Sequence, residues 1–438
     1  MQIDPTTLAD LAVFHTDDAS SVFHRLDFTR TSAGRETLLH YFRHPLSRAD
    51  EIIATQSVLQ AIRQQVHHWP DDVTNGTLLV VERFLDYRMD PLPESADTVN
   101  SSLYRLLHGP DFSLARYSLT HLADLVRGML RITRLFADKA LPARLDRILS
   151  ETRTLLQHPP LEALAQRPGQ QPFGTRETVR LARFFHHAHR RQTLELIRLY
   201  GQLDAWFSMA RAMDAIGLVF PEIADQDDPA IEAEGLFHPL LPHPVPYDLR
   251  MHPEANFFFL TGANMAGKST LIKSVGLAVY LAHLGMGVPA RRMRLTPFDG
   301  ILSNINVSDN IARGESYFYN EVHRIRHTVE TITDGRRWLV LIDEIFKGTN
   351  IQDAMKCSLT VIRGLVRIRR ALFILSTHLY EIGEELRQHP NICFRYFETD
   401  VRDDQLVFSY QLREGISNDR FGYLILRREK VTDLLDRI

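Results

Sequence analysis

The stretch from Gly262 to Ser269 has the residue types and the spacing of a phosphate-binding loop. It reads GANMAGKS and fits the pattern G-x-x-x-x-G-K-[ST]. Backbone amides of such a loop, together with the positive end of the following helix, surround phosphate oxygens. Lys268 would then reach the β- and γ-phosphates, and the Ser269 hydroxyl would hold Mg²⁺. The expected ATP-binding residues are Gly262, Ala263, Asn264, Met265, Ala266, Gly267, Lys268, Ser269 and Thr270.

Two carboxylates and a histidine follow apolar runs further along the chain. The run WLVLIDE ends in Asp343, which would steady the Mg²⁺ beside Ser269, and in Glu344, which would polarise the attacking water. His378 follows another apolar run and could sense the γ-phosphate. The alternative interpretations are a solvated acidic turn and an ordinary loop histidine. The predicted catalytic residues are Lys268, Glu344 and His378, and the predicted metal ligands are Ser269 and Asp343.

Strands that alternate with helices must carry these side chains. The apolar runs Asn256–Thr261, Trp338–Asp343 and Ala371–Thr377 each predict a buried strand, and helical stretches separate them. This order favours a mostly parallel sheet wrapped by helices. The segments CFRYFETD and QLVFSYQL, which flank VRDD, predict a hairpin near the end of the chain.

The first half of the chain predicts helices. Arg48–Trp69 has apolar residues near a 3.6-residue period, and Thr178–Phe207 predicts one long helix. Residues 1–230 hold 8 of the 22 glycines, and the remaining 14 lie in residues 231–438, where turns must separate strands from helices. We therefore expect a helical domain over residues 1–231 and an α/β domain over residues 232–438.

Composition excludes several classes of protein. The 438 residues carry a net charge of −3, so any contact with nucleic acid must come from local basic patches. Two cysteines argue against a disulfide framework and fit a reducing compartment, so a cytoplasmic location is expected. The first residues lack the pattern of a signal peptide, and the longest apolar run is too short to cross a bilayer comfortably, so no membrane association is expected.

One basic cluster in the helical half is a candidate for contact with DNA. It consists of Arg180, Arg183, Arg190 and Arg191. Such side chains would contact the phosphate backbone without reading sequence, and the contact would weaken with salt. A solvated helix face or intramolecular ion pairs explain the same residues equally well.

Segments along nearly the whole chain resemble the MutS family of DNA-processing ATPases, within the wider ABC ATPase class. LFHPLL resembles the His-Pro motif of that family, and TGANMAGKST is very close to its phosphate loop. GMGVPA, VSDNIARGESYFYNEV, LIDEIFKGTN, STHLYEI and FSYQLREGISNDRFGYLIL follow in the family's order. IDPTTLADLAVF and LDFTRTSAGRETLLHYFRHPLSRADEI resemble the start of its core, or lever, domain.

The resemblance implies an all-α lever or core domain followed by an ABC-type ATPase domain that works as a dimer. In such a dimer, the nucleotide at one phosphate loop is completed by the signature segment of the partner. The resemblance implies that Ser316 contacts the γ-phosphate bound to the partner, with Gly314, Asp309 and Asn310 nearby. A homodimer is expected, and a heterodimer is left open.

Departures from the family pattern indicate a short, divergent member. The lever-like sequence starts at residue 4, so mismatch-reading and connector domains are not expected, and the break at Arg167–Gly174 is too short for a clamp domain. The usual Ser-Thr-Phe reads Ser316-Tyr317-Phe318, and the usual Gly-Arg-Gly-Thr reads Phe346-Lys347-Gly348-Thr349.

Three functions are compatible with these features to different degrees. The leading hypothesis is an ATPase that acts on duplex or branched DNA without recognising mismatches. The alternative is a nucleotide-gated scaffold whose target is a protein. A transporter ATPase is disfavoured, because that class needs a Leu-Ser-Gly-Gly signature and this chain has RGESYF.

Overall fold

The chain forms two compact units in a computed structural model that describes residues 1–167, 171–305, 317–402, 405–417 and 431–435. Unit 1 consists of Met1–Arg25, His44–Ile53 and Ile216–Ile438, and unit 2 consists of Leu26–Arg43 and Ala54–Ala215. The segments of the two units therefore alternate along the first quarter of the chain.

The strands all lie in unit 1. In chain order they are β1 Gln2–Ile3, β2 Glu222–Ile223, β3 Ile231–Leu236, β4 Tyr247–Met251, β5 Phe257–Thr261, β6 Arg292–Leu295, β7 Gly300–Asn304, β8 Trp338–Asp343, β9 Ala371–Ser376, β10 Ile392–Arg402 and β11 Gln405–Glu414. The helices are α1 Pro5–Asp10, α2 Val22–Leu26, α3 Ser32–Arg43, α4 Ala49–Arg63, α5 Asn75–Asp86, α6 Thr98–Leu107, α7 Gly109–Leu135, α8 Ala143–Leu156, α9 Pro159–Gln166, α10 Thr175–Arg183, α11 Arg190–Ile216, α12 Lys268–His283, α13 Tyr317–Ile332, α14 Ile351–Leu365, α15 Glu381–Leu386 and α16 Val431–Leu435.

A seven-stranded sheet forms the centre of unit 1, in the order β1-β7-β8-β9-β5-β10-β11. Every neighbouring pair is parallel except the hairpin of β10 and β11. All residues of β5, β8 and β9 are buried, as expected for central parallel strands covered on both faces. The predicted α/β class, the mostly parallel sheet and the terminal hairpin are thus confirmed.

A second sheet in unit 1 was not predicted from the sequence. Its order is β2-β6-β3-β4, and it pairs short strands that lie on either side of β5 and α12 in the chain. Glu232 on β3 stands opposite both Arg294 and Arg250 in the register, and its carboxylate lies 3.1 Å from Nε of Arg250. These opposite charges favour this register.

The first residues of the chain belong to the central sheet. Gln2 and Ile3 pair with Gly300 and Ile301, and the Asp10 carboxylate accepts hydrogen bonds from the Ser303 hydroxyl at 2.6 Å and the Ile305 amide at 3.0 Å. Residues 1–25 therefore lie in unit 1, where the predicted division after residue 231 would assign them to the helical domain. A short apolar-poor strand at the N-terminus gives no periodic signal from which this pairing could be read.

Unit 2 is helical, and one helix differs from the prediction. The single helix predicted over Thr178–Phe207 is divided into α10, a π-helical turn at Phe184–Ala188, and α11. A π-turn adds a residue to the helical repeat, so the apolar faces on either side are rotated relative to one another. In the same unit, the buried carboxylate of Asp204 on α11 accepts hydrogen bonds from the Thr31 hydroxyl at 2.7 Å and the Thr31 amide at 3.0 Å.

In the described parts of the chain, no helix is both long enough and apolar enough to span a bilayer.

Candidate functional site

The loop between β5 and α12 turns sharply at two glycines. Gly262 has φ of 138° and Gly267 has φ of 112°, values that residues with a Cβ rarely adopt. A Cβ at Gly262 would also lie 3.2 Å from the Cβ of Phe397, so this position has little room for a side chain. The glycines at the two ends of the sequence motif are therefore required by the path of the backbone.

Lys268 is the first residue of α12 and turns its ammonium toward the loop. Its Nζ donates to the carbonyls of Gly262 at 2.9 Å and Ala263 at 3.0 Å, and the residue is 5% exposed. Burial lowers the pKa of this ammonium, and the nearby carboxylates of Glu344 and Asp343 oppose that shift. The loop thus holds a positive charge at its centre.

Asp343 ends β8 and lies between two hydroxyl groups. The register places it opposite Ser376, the last residue of β9, and the hydroxyls of Ser269 and Ser376 each donate to one of its two carboxylate oxygens. Only 9% of Asp343 is exposed. A hydroxyl and a carboxylate in direct contact form an oxygen donor set that suits Mg²⁺, which usually binds one or two protein oxygens together with phosphates and water.

Glu344 follows in a backbone conformation that is unusual for a residue with a side chain. Its φ is 58°, in the left-handed region. The carboxylate pairs with His378 Nε2, and its other oxygen lies 2.6 Å from Lys347 Nζ. Burial acts to raise the pKa of Glu344, but the hydrogen bonds from His378 and Lys347 outweigh it and lower the pKa to about 2. Glu344 is thus an ionised carboxylate held by two donors.

An open cleft of about 480 Å³ runs along the phosphate-loop side of the site. Its polar lining comes from Asn264, Lys268, Ser269, Thr270 and Glu344. Its apolar and aromatic lining comes from Leu241, Pro242, Val245, Tyr247 and Tyr410, together with His243. A cleft lined by both charged and apolar side chains can take a ligand that has both a phosphate chain and an aromatic ring.

The loop after β8 is fastened to α13. The Glu321 carboxylate accepts hydrogen bonds from the amides of Lys347 at 3.3 Å and Gly348 at 3.4 Å. The ring of Phe346, whose φ is 62°, lies 5.7 Å from the ring of Phe318. Glu321 is 4% exposed, and burial raises the pKa of its carboxyl group.

The structure brings together the residues that the sequence predicts for phosphate, metal and catalysis. Ser269 contacts Asp343 and His378 contacts Glu344, although the pairs are far apart in the chain. Three features of the site were not predicted from the sequence. They are the hydrogen bond from Ser376 to Asp343, the ion pair of Lys347 with Glu344, and the apolar lining of the cleft that includes Tyr247. The serine could have been found from its place at the end of a neighbouring strand, but no comparable signal marks the other two.

Two further sets of residues were predicted from the sequence. The implied signature residues Asp309, Asn310, Gly314 and Ser316 lie outside the described residues. The arginines proposed for DNA lie in unit 2, where Arg190 pairs with Asp86 at 2.7 Å and Arg183 donates to the Pro93 carbonyl at 3.0 Å. Arg180 and Arg191 are exposed.

Metal-binding clusters of the usual protein-only kind do not occur in the described part of the chain. No three or more His, Cys, Asp or Glu side chains gather there in a way that could hold an ion. Ser269 and Asp343 form a different kind of site, because one ligand is a serine and the remaining ligands of Mg²⁺ would come from phosphate and water.

Part of the chain matches a known protein family. The model of MutS domain V matches residues 258–433, which run from β5 to α16 and contain the phosphate loop, Asp343, Glu344 and His378. MutS domain V is the ATPase domain of the MutS family, whose members bind DNA.

Proposed function

Because residues 258–433 match MutS domain V, we propose that the chain belongs to the MutS family and that it is an ATPase that binds DNA and acts on duplex or branched structures without recognising mismatches. The observation that carries the proposal is the meeting of Ser269, Asp343, Glu344 and His378 at the carboxyl ends of β5, β8 and β9. Ligands of open parallel sheets bind at this edge.

ATP would lie along the cleft with its phosphates on the loop. Amides from Gly262 to Thr270 would surround the phosphates at the positive end of α12. The Lys268 ammonium lies at the centre of this loop and would contact the β- and γ-phosphates. The aromatic side chains of Tyr247 and Tyr410 would cover the base.

Hydrolysis would depend on Glu344. An ionised carboxylate beside the γ-phosphate can accept a hydrogen bond from a water molecule and orient it for in-line attack. His378, which contacts Glu344, would keep the carboxylate in place and donate toward the γ-phosphate. Ser269 and Asp343 would hold Mg²⁺, which neutralises charge on the phosphates when bound.

Two copies of the chain would complete each ATP site. Ser316, with Gly314, Asp309 and Asn310, would reach the γ-phosphate on the partner. Large exposed apolar side chains support such an interface: Met265, which lines the cleft, is 80% exposed, Ile351 at the start of α14 is 70% exposed, and Tyr319 on α13 is 49% exposed. Exposed apolar side chains of this size favour burial against a partner.

The DNA-binding surface would lie in the helical part of the chain. The proposed core or lever domain takes residues 1–231 and the proposed ATPase domain takes residues 232–438, with Met1–Arg25, His44–Ile53 and residues 216–231 in the same compact unit as the latter. Arg180 and Arg191 are exposed and available to phosphates, with Arg183 and Arg190 beside them.

The proposed location is the cytoplasm. The two cysteines, Cys357 and Cys393, are free thiols, as expected in a reducing compartment.

The test measures ATP hydrolysis and DNA binding by the purified chain. We expect Mg²⁺-dependent release of phosphate and binding of duplex and branched DNA whose affinity falls linearly with salt on a log–log plot. The variant Arg180→Ala/Arg191→Ala should reduce that slope. Hydrolysis without salt-dependent DNA binding, with or without ATP, would favour the alternative, a nucleotide-gated scaffold for a protein partner.

A further inference from the structure

Helix α13 contacts the loop after β8 through two side chains near its start. The carboxylate of Glu321 accepts hydrogen bonds from the backbone amides of Lys347 and Gly348, one on each of its oxygens. One turn earlier, Phe318 packs against Phe346. Residues 318 and 321 are three apart and so share one face of the helix. This face therefore contacts three consecutive residues of the loop, Phe346, Lys347 and Gly348.

The loop needs such support because its backbone is strained. Glu344 and Phe346 both have positive φ, a conformation that is unfavourable for residues that carry a Cβ. Conformations of this kind persist only where the surroundings hold them. The buried carboxylate of Glu321 and the ring of Phe318 are the groups of α13 that hold this loop.

The same loop carries a direct partner of the proposed catalytic carboxylate. The ammonium of Lys347 lies 2.6 Å from a carboxylate oxygen of Glu344. The backbone amide of Lys347 donates a hydrogen bond to Glu321. A continuous set of contacts therefore runs from α13 through the backbone and side chain of Lys347 to Glu344.

We propose that Glu321 is a positioning residue for ATP hydrolysis: it fixes the loop after β8, and through Lys347 it fixes the orientation of the Glu344 carboxylate. This inference rests on the proposed function, because it takes Glu344 as the group that orients water. Glu321 does not line the cleft, so it acts on the hydrolytic step and leaves the binding of ATP unchanged.

The experiment compares Glu321→Ala with Glu321→Gln and with a control on the same helix. Glu330→Gln is the control, because Glu330 is exposed and its carboxylate pairs with exposed Arg326, at 2.8 Å. ATP affinity is measured with a fluorescent ATP analogue, and the single-turnover rate is divided by the number of nucleotide sites titrated.

We expect Glu321→Ala to lower this rate about tenfold, because the loss of two hydrogen bonds to a charged group is worth at least a factor of this size. The affinity for ATP should stay within about twofold of the wild type. Glu321→Gln keeps an acceptor and should recover part of the rate.

A double-variant cycle tests whether Lys347 carries the effect. In a Lys347→Met background, Glu321→Ala should change the rate by less than about twofold, since residues that act through one another are not additive. Independent, additive effects would overturn the proposal. So would an unchanged rate in Glu321→Ala, or a loss of titrated sites with a normal rate per site, which indicates a structural role alone.

The same measurements separate this inference from the proposed function. If the wild type releases no phosphate, or Glu344→Gln turns over normally, the assignment of the ATPase site has failed. If the wild type depends on Glu344 while Glu321→Ala behaves as the wild type, only the positioning role has failed.

Discussion

The hydroxyl of Ser269 donates a hydrogen bond to the carboxylate of Asp343, 74 residues further along the chain. The two oxygens that would hold Mg²⁺ are therefore adjacent in the folded protein. Replacing Asp343 by Asn removes the negative charge but keeps the shape of the side chain. We expect the Mg²⁺ concentration for half-maximal ATP binding to rise about tenfold or more, because Mg²⁺ strongly prefers a charged oxygen ligand. Ser376→Ala, which removes only the other hydroxyl partner, is the control and should change this concentration much less.

Glu344→Gln should separate binding from hydrolysis. The amide cannot accept the proton of water as a carboxylate does, so we expect turnover to fall by about 100-fold or more, the range that a positioned base contributes. ATP affinity should stay close to that of the wild type, and the variant should accumulate as a closed dimer with ATP bound. Normal steady-state phosphate release by this variant would remove Glu344 from its assigned role.

Lys268→Ala should weaken nucleotide binding itself. The ammonium is held within the phosphate loop, and charge-assisted contacts to phosphate would be lost with it. We expect the Kd for ATP to rise about tenfold or more, measured by titration of a fluorescent ATP analogue. Lys273→Ala, on the next turn of α12 and outside the residues that line the cleft, is the matched control. An unchanged Kd in Lys268→Ala contradicts the assignment of the loop.

Ile351→Glu should impair dimer formation without affecting the fold. Ile351 is 70% exposed at the start of α14, so a charge is tolerated in the single chain but not when this surface is buried against a second copy. Analytical ultracentrifugation with ATP should give a dimer for the wild type and a monomer for the variant, with equal thermal stability in the absence of ATP. Val99→Glu, an equally exposed position on α6 in unit 2, serves as the control and should still dimerise.

Stability of unit 1 should fall as the pH is lowered from about 6.5 toward 4. His283 is fully buried; its Nδ1 lies 2.6 Å from the Leu46 carbonyl, and its Nε2 accepts from the Phe298 amide at 3.0 Å. Burial lowers the pKa of this imidazole to about 4 from the usual 6.5, so the unfolded chain takes up a proton in this window and the folded chain does not. The loss amounts to roughly 3 kcal/mol on the scale of 1.4 kcal/mol for each pKa unit.

Urea unfolding at several pH values measures this effect. His283→Gln cannot titrate, so the difference in unfolding free energy between it and the wild type should shrink as the pH falls from 7 to 4.5. His67→Gln, which changes an exposed histidine, should keep the pH dependence of the wild type. Equal pH slopes for the wild type and His283→Gln would contradict the prediction.

The sequence predicts the parts of the site that lie on long apolar strands. The runs that became β5, β8 and β9 are recognisable because each is a short, continuous apolar segment with chemically active residues at its end. The edge at which parallel strands end then brings Ser269, Asp343 and His378 together. Contacts made by the loop after β8 are not predictable in this way, because they depend on the left-handed backbone at Phe346, which no apolar period announces.

Short elements explain most of what the sequence did not predict. Strands β1 and β2 have two residues each, too few for a period of alternation to be recognised. The π-turn at Phe184–Ala188 keeps a helical composition throughout, so the pattern predicts one uninterrupted helix. In each case the tertiary environment decides the local structure.

The pairing of β1 with β7 has a consequence for how the chain is made. A ribosome completes unit 2 when residue 215 has emerged, and that unit has all of its segments available from then on. Gln2 and Ile3 must wait for Gly300 and Ile301, about three hundred residues later, before their edge of the sheet can form. Closing so long a loop is slow relative to local helix formation. During much of its synthesis the protein therefore has a complete helical unit, while β1 of unit 1 is still unpaired.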